Sequence, residues 1–349
     1  MKKLFLVFAL LSPFFVFGTI LTVDNSSNSP GQYTSMSAAY SAAVNGDTIY
    51  VRGSLHTYGS ITIYKELTII GAGYNPSPAN IYPTTFDNLT IQRSSSSNLG
   101  GSGSKIYGIK VKPSGTLHIY GSSYNGNISN VLVERCEARI STYCANGIKI
   151  INNIIINLDI GIYTQSNTVV YNNIIKEITF SSGYNSNSLT FDHNIFLEAA
   201  SSTFRYCIVK NSIFYGTSPG SSATHTAFAN NMAYAAPNDT FDISTNSNSG
   251  VNNMDHTNPD FVSVASTSFS YFNDYHLQIA SAGTNAASDG TNLGIYGGSN
   301  PFPIGGASGS GYQTSQEPAV PQVYHFTIQN NIIQPSDTLN VNIKVSIQK

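Results

Sequence analysis

Charged side chains are scarce in this chain. They make up only 10% of its 349 residues, 16 basic and 18 acidic, for a formal net charge of −2. That balance supplies neither a basic field for nucleic acid nor a polybasic patch for a membrane surface. Cysteine is scarcer still. Cys136, Cys144 and Cys207 form an odd set with no Cys-x-x-Cys spacing, which implies neither a zinc site nor a disulfide framework. They read as small buried thiols, with one Cys136–Cys144 bridge left open to a chain in an oxidising compartment. Long apolar runs are confined to the start. Lys2 and Lys3 precede an apolar stretch over residues 4–17, and Val16-Phe17-Gly18 ends in a small residue suited to cleavage. Residues 1–18 therefore read as a secretory signal peptide, which places the protein in the periplasm or outside the cell. A membrane span fits less well, because Pro13 interrupts the run and polar residues 22–32 follow it.

What the chain does have is a repeated phrase. Ile151-Asn152-Asn153-Ile154-Ile155 returns as Val170-Tyr171-Asn172-Asn173-Ile174-Ile175, then as Phe191-Asp192-His193-Asn194-Ile195-Phe196, Val209-Lys210-Asn211-Ser212-Ile213-Phe214 and Ala229-Asn230-Asn231-Met232. The second residue of each pair falls at 153, 173, 194, 212 and 231, with a degenerate copy around Cys136. A period near 20 built of short β-type runs predicts a solenoid, since one such unit buries its apolar face only by stacking on its copies. Over residues 46–265 the period implies roughly eleven coils, a column on the order of 50 Å long. The register asparagines are expected in tight turns, where Asn tolerates a left-handed backbone and its amide can reach the next coil. Asn153, Asn173 and Asn194 would form such a ladder, interrupted at Cys136 and Ser212.

The flanks differ from the repeats. Residues 20–23 read as a strand, and the alanine-rich residues 35–44 as a short helix with Met36, Ala39, Tyr40 and Ala43 on one side, placed to cap the first coil. Residues 19–304 are assigned to the solenoid with its cap and closing segment, and residues 305–317 to a Gly/Ser linker. In the tail, 318–349, alternating segments at 323–328 and 339–347 suggest a small β-hairpin.

Three phrases, Gly46-Asp47-Thr48-Ile49-Tyr50-Val51, Leu67-Thr68-Ile69-Ile70-Gly71-Ala72-Gly73 and the Asn-Asn-Ile coils, resemble right-handed parallel β-helix proteins of the pectate-lyase-like superfamily. The closing run from Asn258-Pro259-Asp260-Phe261 through His276-Leu277 to Gly297-Gly298 is similar to the end of secreted bacterial members. The resemblance spans about residues 20–303 and implies an all-β, right-handed parallel β-helix. It leaves activity open, because that superfamily contains lyases, hydrolases, epimerases and proteins of other roles.

Two sets of residues are candidates for function. Tyr143, Tyr163 and Tyr184 each stand ten residues before a register asparagine. At constant phase they would stack, and outward-facing rings would offer a half-polar strip on which sugar rings pack. Inward or self-stacked rings would instead be structural. The second set is Asp192 with Arg205 or Lys210. Lyases of the superfamily need a cation, often calcium, and a Lys or Arg as base, and Asp192-His193 resembles a phrase common in pectate lyases. Yet Asp192 and Lys210 share one phase and could simply pair between coils, and no further carboxylates stack with Asp192. No metal spacing appears among the histidines, so no cofactor is expected, with Ca²⁺ admitted only for the lyase. The leading reading is a secreted, monomeric protein that binds polysaccharide without cleaving it. A polysaccharide lyase or glycosidase acting on acidic glycans is the second, and a structural or adhesive surface module the third.

Overall fold

The computed structural model describes residues 18–302 apart from 28–30, 75–81, 94–98, 123–125, 162–166, 182–188, 199–203 and 221, together with strands Gln322–Ile328 and Val341–Ser346. Residues 1–17, the linker at 305–317, Tyr163 and Tyr184 lie outside the described residues.

The chain forms an all-β parallel solenoid of two long sheets. One coil shows the plan. Thr168–Tyr171 lies in the first sheet, the chain turns at Asn172 and Asn173, and Ile174–Ile175 and Ile178–Phe180 continue in the second. The next coil lies directly above, pairing Thr168 with Leu189 and Ile174 with Ile195. Among the described residues the first sheet has 11 strands and the second 12. About nine turns are complete, fewer than the eleven implied by the period. Among the described residues, the end strands of the first sheet, Ile20–Val23 and Ser249–Val251, have no following strand in the second.

Alternation along each short strand puts every second side chain inside. Because the register is kept from coil to coil, equivalent residues stack. Ile49, Ile69, Ile106, Val133, Ile150, Val170, Phe191, Val209 and Phe228 form one fully buried column. The core is aliphatic at first and aromatic toward the end, where Phe191, Phe196, Phe204, Phe214, Phe228 and Phe241 pack edge to face, tilted or stacked. The three cysteines are free and buried, so Cys136 and Cys144 are not bridged. Burial pushes the Cys136 and Cys207 thiols up to about 12.

The helix Met36–Ala42 sits against the first strands, with Met36, Ala39 and Ala43 buried. Ser35 caps it by accepting from Ala38 N at 3.2 Å. Lys65 Nζ closes its other end on the carbonyls of Tyr40 and Ala43 at 2.7 and 2.6 Å.

The closing segment, residues 258–302, runs along the side of the column. Strand Phe261–Ser263 pairs antiparallel with Asp274–Leu277, and Phe261, Tyr275, Leu293, Ile295 and Phe302 cover Ile154, Ile174, Ile195, Ile213 and Met232. Those five project outward from the second sheet, which explains why two apolar residues stand together in Ile154-Ile155, Ile174-Ile175 and Ile195-Phe196. One residue of each pair faces the inner core and the other faces this strap. The tail strands Gln322–Ile328 and Val341–Ser346 form an antiparallel hairpin.

Candidate functional site

The asparagine corner has two layers. In seven successive coils the first residue of the pair is left-handed, with φ between 53° and 58° at Arg135, Asn152, Asn172, His193, Asn211, Asn230 and Asn252. The left-handed position is thus one residue earlier than the register asparagine. That second residue points inward and hydrogen-bonds along the column. Asn173 Oδ1 accepts from Asn153 N at 2.8 Å, Asn194 Oδ1 from Asn173 N at 2.9 Å, and Asn231 Oδ1 from Ser212 N at 3.0 Å. Ser212 Oγ accepts from Asn194 N at 3.1 Å, so the serine continues the series rather than interrupting it. Each asparagine amide also donates to a strand carbonyl of the preceding coil, Asn173 to Ile150 O and Asn194 to Val170 O.

The first residues instead hold the strap. Asn172 Nδ2 donates to the carbonyls of Ile295 and Gly297, Asn211 Oδ1 accepts from Ser288 N at 2.8 Å, and Asn230 Nδ2 donates to Ala286 O at 3.2 Å. His193 takes the same position in its own coil. Its ring is nearly buried between Asp192 Oδ1, 2.8 Å from Nδ1, and Thr291 Oγ1, 3.2 Å from Nε2, with Asp289 Oδ1 3.7 Å from Nε2. Gly297 and Gly298 lie on that ring, where a Cβ at Gly297 would stand 2.5 Å from His193 Cδ2.

Asp192 is fully engaged. Besides His193 it meets Lys210 Nζ at 3.2 Å and accepts from Asn211 Nδ2 at 2.7 Å. Burial alone would raise its pKa, but these donors and nearby positive charge hold it below the ordinary carboxylate value. Asp192 and Lys210 occupy paired positions of adjacent strands. Arg205 stands apart, before the left-handed residue Tyr206, and forms a bridge with Thr224. The structure thus brings Asp192 and Lys210 together and sets Arg205 elsewhere. Among the described residues no three His, Cys, Asp or Glu side chains converge as a metal group.

A different surface lies on the second sheet. Tyr143 is half-buried and outward, and its ring stacks on Tyr120 of the preceding coil at 4.8 Å between centroids and 16° between planes. Tyr120 is 38% exposed. Two residues earlier on the same strands runs a polar column of Thr90, His118, Ser141, Asp159 and Thr179. Ser141 Oγ donates to Asp159 Oδ2 at 3.1 Å, and the Thr179 hydroxyl donates to Asp159 Oδ1 at 3.4 Å. The His118 ring meets Tyr120 edge-on, and burial lowers its pKa, which favours the neutral imidazole. In the sequence Tyr120 carries no signal and His118 reads only as an isolated histidine, because their coil lacks the Asn-Asn phrase that sets the phase. Strand pairing brings them beside Tyr143 and Ser141.

A scan against protein-family models finds none that matches this chain, and a search of curated proteins likewise finds no match.

Proposed function

We propose that this chain is a secreted, right-handed parallel β-helix protein of the pectate-lyase-like kind that holds polysaccharide on the outer face of its second sheet without cleaving it. The observation that carries this reading is the in-register Tyr120–Tyr143 stack on an outward face, beside a column of hydroxyl, imidazole and carboxylate groups. Tyrosine edges offer apolar contact and a hydroxyl together, as a sugar ring requires. Neutral His118, whose Nδ1 is buried, leaves only Nε2 for that face and adds no charge. Strand register puts Gly161 and Ser181, not Tyr163 and Tyr184, after the paired residues Ile160 and Phe180 at the level of Tyr143. The expected strip of Tyr143, Tyr163 and Tyr184 is therefore replaced by the Tyr120–Tyr143 pair. The engagement of Asp192 by His193, Lys210 and Asn211 favours a structural ion pair over a lyase centre.

The test is a glycan array with the wild type and the Tyr120→Ala/Tyr143→Ala variant. Binding in the micromolar to millimolar range, about 4–8 kcal/mol, should fall roughly tenfold or more in the variant while its circular dichroism is kept. Unfolding of the variant would make the tyrosines packing residues and end the reading. Release of ultraviolet-absorbing unsaturated products by the wild type, stopped by Lys210→Ala, would establish the lyase instead.

A further inference from the structure

The corner that leads into the first sheet has its own left-handed column. Two residues before aligned strand positions stand Gly46, Gly103, Asn130, Gly147, Asn167, Tyr206, His225 and Ser247, all with φ between 49° and 90°. Glycine and asparagine suit that backbone, but bulky side chains do not. At Tyr206 and His225 the chain nevertheless places two aromatic rings there, stacked at 4.4 Å and 16°. Residues held in a sparsely populated conformation concentrate at functional sites, so the exception calls for an account of what these rings contact.

They form one wall of an open groove of about 300 Å³. Its floor is the outward column Ile208, Ala227 and Ser249, and its wall is Tyr206, His225 and Ser247, spread over the same three coils. Three coils span roughly 10 Å. Ile208 is 42% exposed, and His225, Ser247 and Ser249 are exposed too. Among the described residues no acidic side chain, Lys or Arg lines the groove. Its chemistry is a flat aromatic wall, a small apolar floor and free-standing serine hydroxyls at one end.

We infer that this groove is a second carbohydrate subsite, one that takes a single neutral pyranose residue against Tyr206 and His225 with its hydroxyls toward Ser247 and Ser249. The inference rests on the reading of the chain as a glycan-binding protein. It adds a subsite on the other sheet, several coils from the Tyr120–Tyr143 face. Two sites on different sheets would let one molecule hold two separate glycan segments.

Saturation-transfer NMR with methyl glycosides of glucose, galactose and mannose tests this, with each groove variant made on the Tyr120→Ala/Tyr143→Ala background so that the main face contributes no signal. Tyr206→Asn/His225→Asn is the informative variant, because asparagine suits the left-handed corner as Asn130 and Asn167 do. It should keep its melting temperature within a few degrees and lose roughly tenfold in affinity, about 1.4 kcal/mol. Ala227→Gln fills the floor from an outward strand position and should lose the signal without touching the corner. Transfer should persist in Tyr120→Ala/Tyr143→Ala. Absence of transfer to every glycoside from the wild type overturns the subsite, as does transfer that both variants retain. Transfer already lost in the Tyr120→Ala/Tyr143→Ala background overturns the subsite while leaving the main binding face intact. Should the Tyr206→Asn/His225→Asn variant fail to fold, Ala227→Gln decides alone.

Discussion

Asn172 and Asn173 are adjacent in the chain and serve opposite sides of the same wall. The Asn172 amide reaches outward to the carbonyls of Ile295 and Gly297 at 2.9 and 2.8 Å. The Asn173 amide turns inward to Ile150 O and Tyr171 O, while its side-chain oxygen accepts from Asn153. One dipeptide therefore ties coil to coil and column to strap. The division follows from the backbone. A left-handed residue at the first position reverses the chain so that the next side chain points into the column.

The two asparagines should respond differently to substitution. We predict that Asn173→Leu lowers stability by about 1–3 kcal/mol, since it strands the buried donors and acceptors of two neighbouring coils. Chemical denaturation measures it, and an unchanged midpoint would refute the inward assignment. Asn172→Gly keeps the φ of 53° accessible and should leave the midpoint closer to wild type. Its effect belongs in faster amide exchange across residues 283–302.

Acid should weaken the grip of the strap. Asp192 and Asp289 are both held below the ordinary carboxylate value, against the opposing effect of burial, by hydrogen bonds and by the nearby His193. A lowered folded-state pKa contributes stability that is present above the unfolded value, near 3.9, and is lost as pH falls through the folded one. We predict a stability loss that begins near pH 4 and grows below it. In Asp192→Asn that acid dependence should flatten, as urea midpoints between pH 2 and 6 would show. Equal slopes in wild type and variant would remove Asp192 from the account.

Much of this architecture is legible in the sequence because a solenoid repeats its constraints. Stacked coils force equivalent residues to the same phase, so the Asn-Asn-Ile phrase predicts the column, and the Asp192–Lys210 pairing follows from their shared phase. Residues 35–44 predict a helix, and Met36–Ala42 forms it. The lateral strap was not legible. Its residues have no period, and their partners lie more than 100 positions away in cases such as the hydrogen bond from the Asn172 amide to Ile295 O. The doubled isoleucines of Ile154-Ile155 and Ile174-Ile175 did contain the signal. A strand with solvent on one side alternates, and two consecutive buried residues require cover on both faces.

Removing residues 305–349 should leave the column intact. The strap ends its described contacts at Phe302, which packs with Ile295 and the outward isoleucines. Circular dichroism and the thermal midpoint of the shortened chain should match those of the full one. A loss of β-type signal would show that the hairpin Gln322–Ile328 and Val341–Ser346 supports the column.

Ending the chain at residue 257 should have the opposite result. Ile154, Ile174, Ile195, Ile213 and Met232 would become an exposed apolar stripe, and each loses about 1.5–3 kcal/mol of burial. Asn172, Asn211 and Asn230 would lose their strap partners at the same time, although water can replace those bonds. A stripe of that length on a parallel column is also a surface for self-association. We predict that this truncation aggregates or melts far below the full chain. Gly297→Ala should go part of the way, because its Cβ would stand 1.9 Å from Asn292 O and 2.5 Å from the His193 ring. Light scattering and thermal melts of both proteins check this. A soluble, monomeric, fully cooperative chain ending at 257 would show that the inner columns alone sustain the solenoid and that the strap is an accessory.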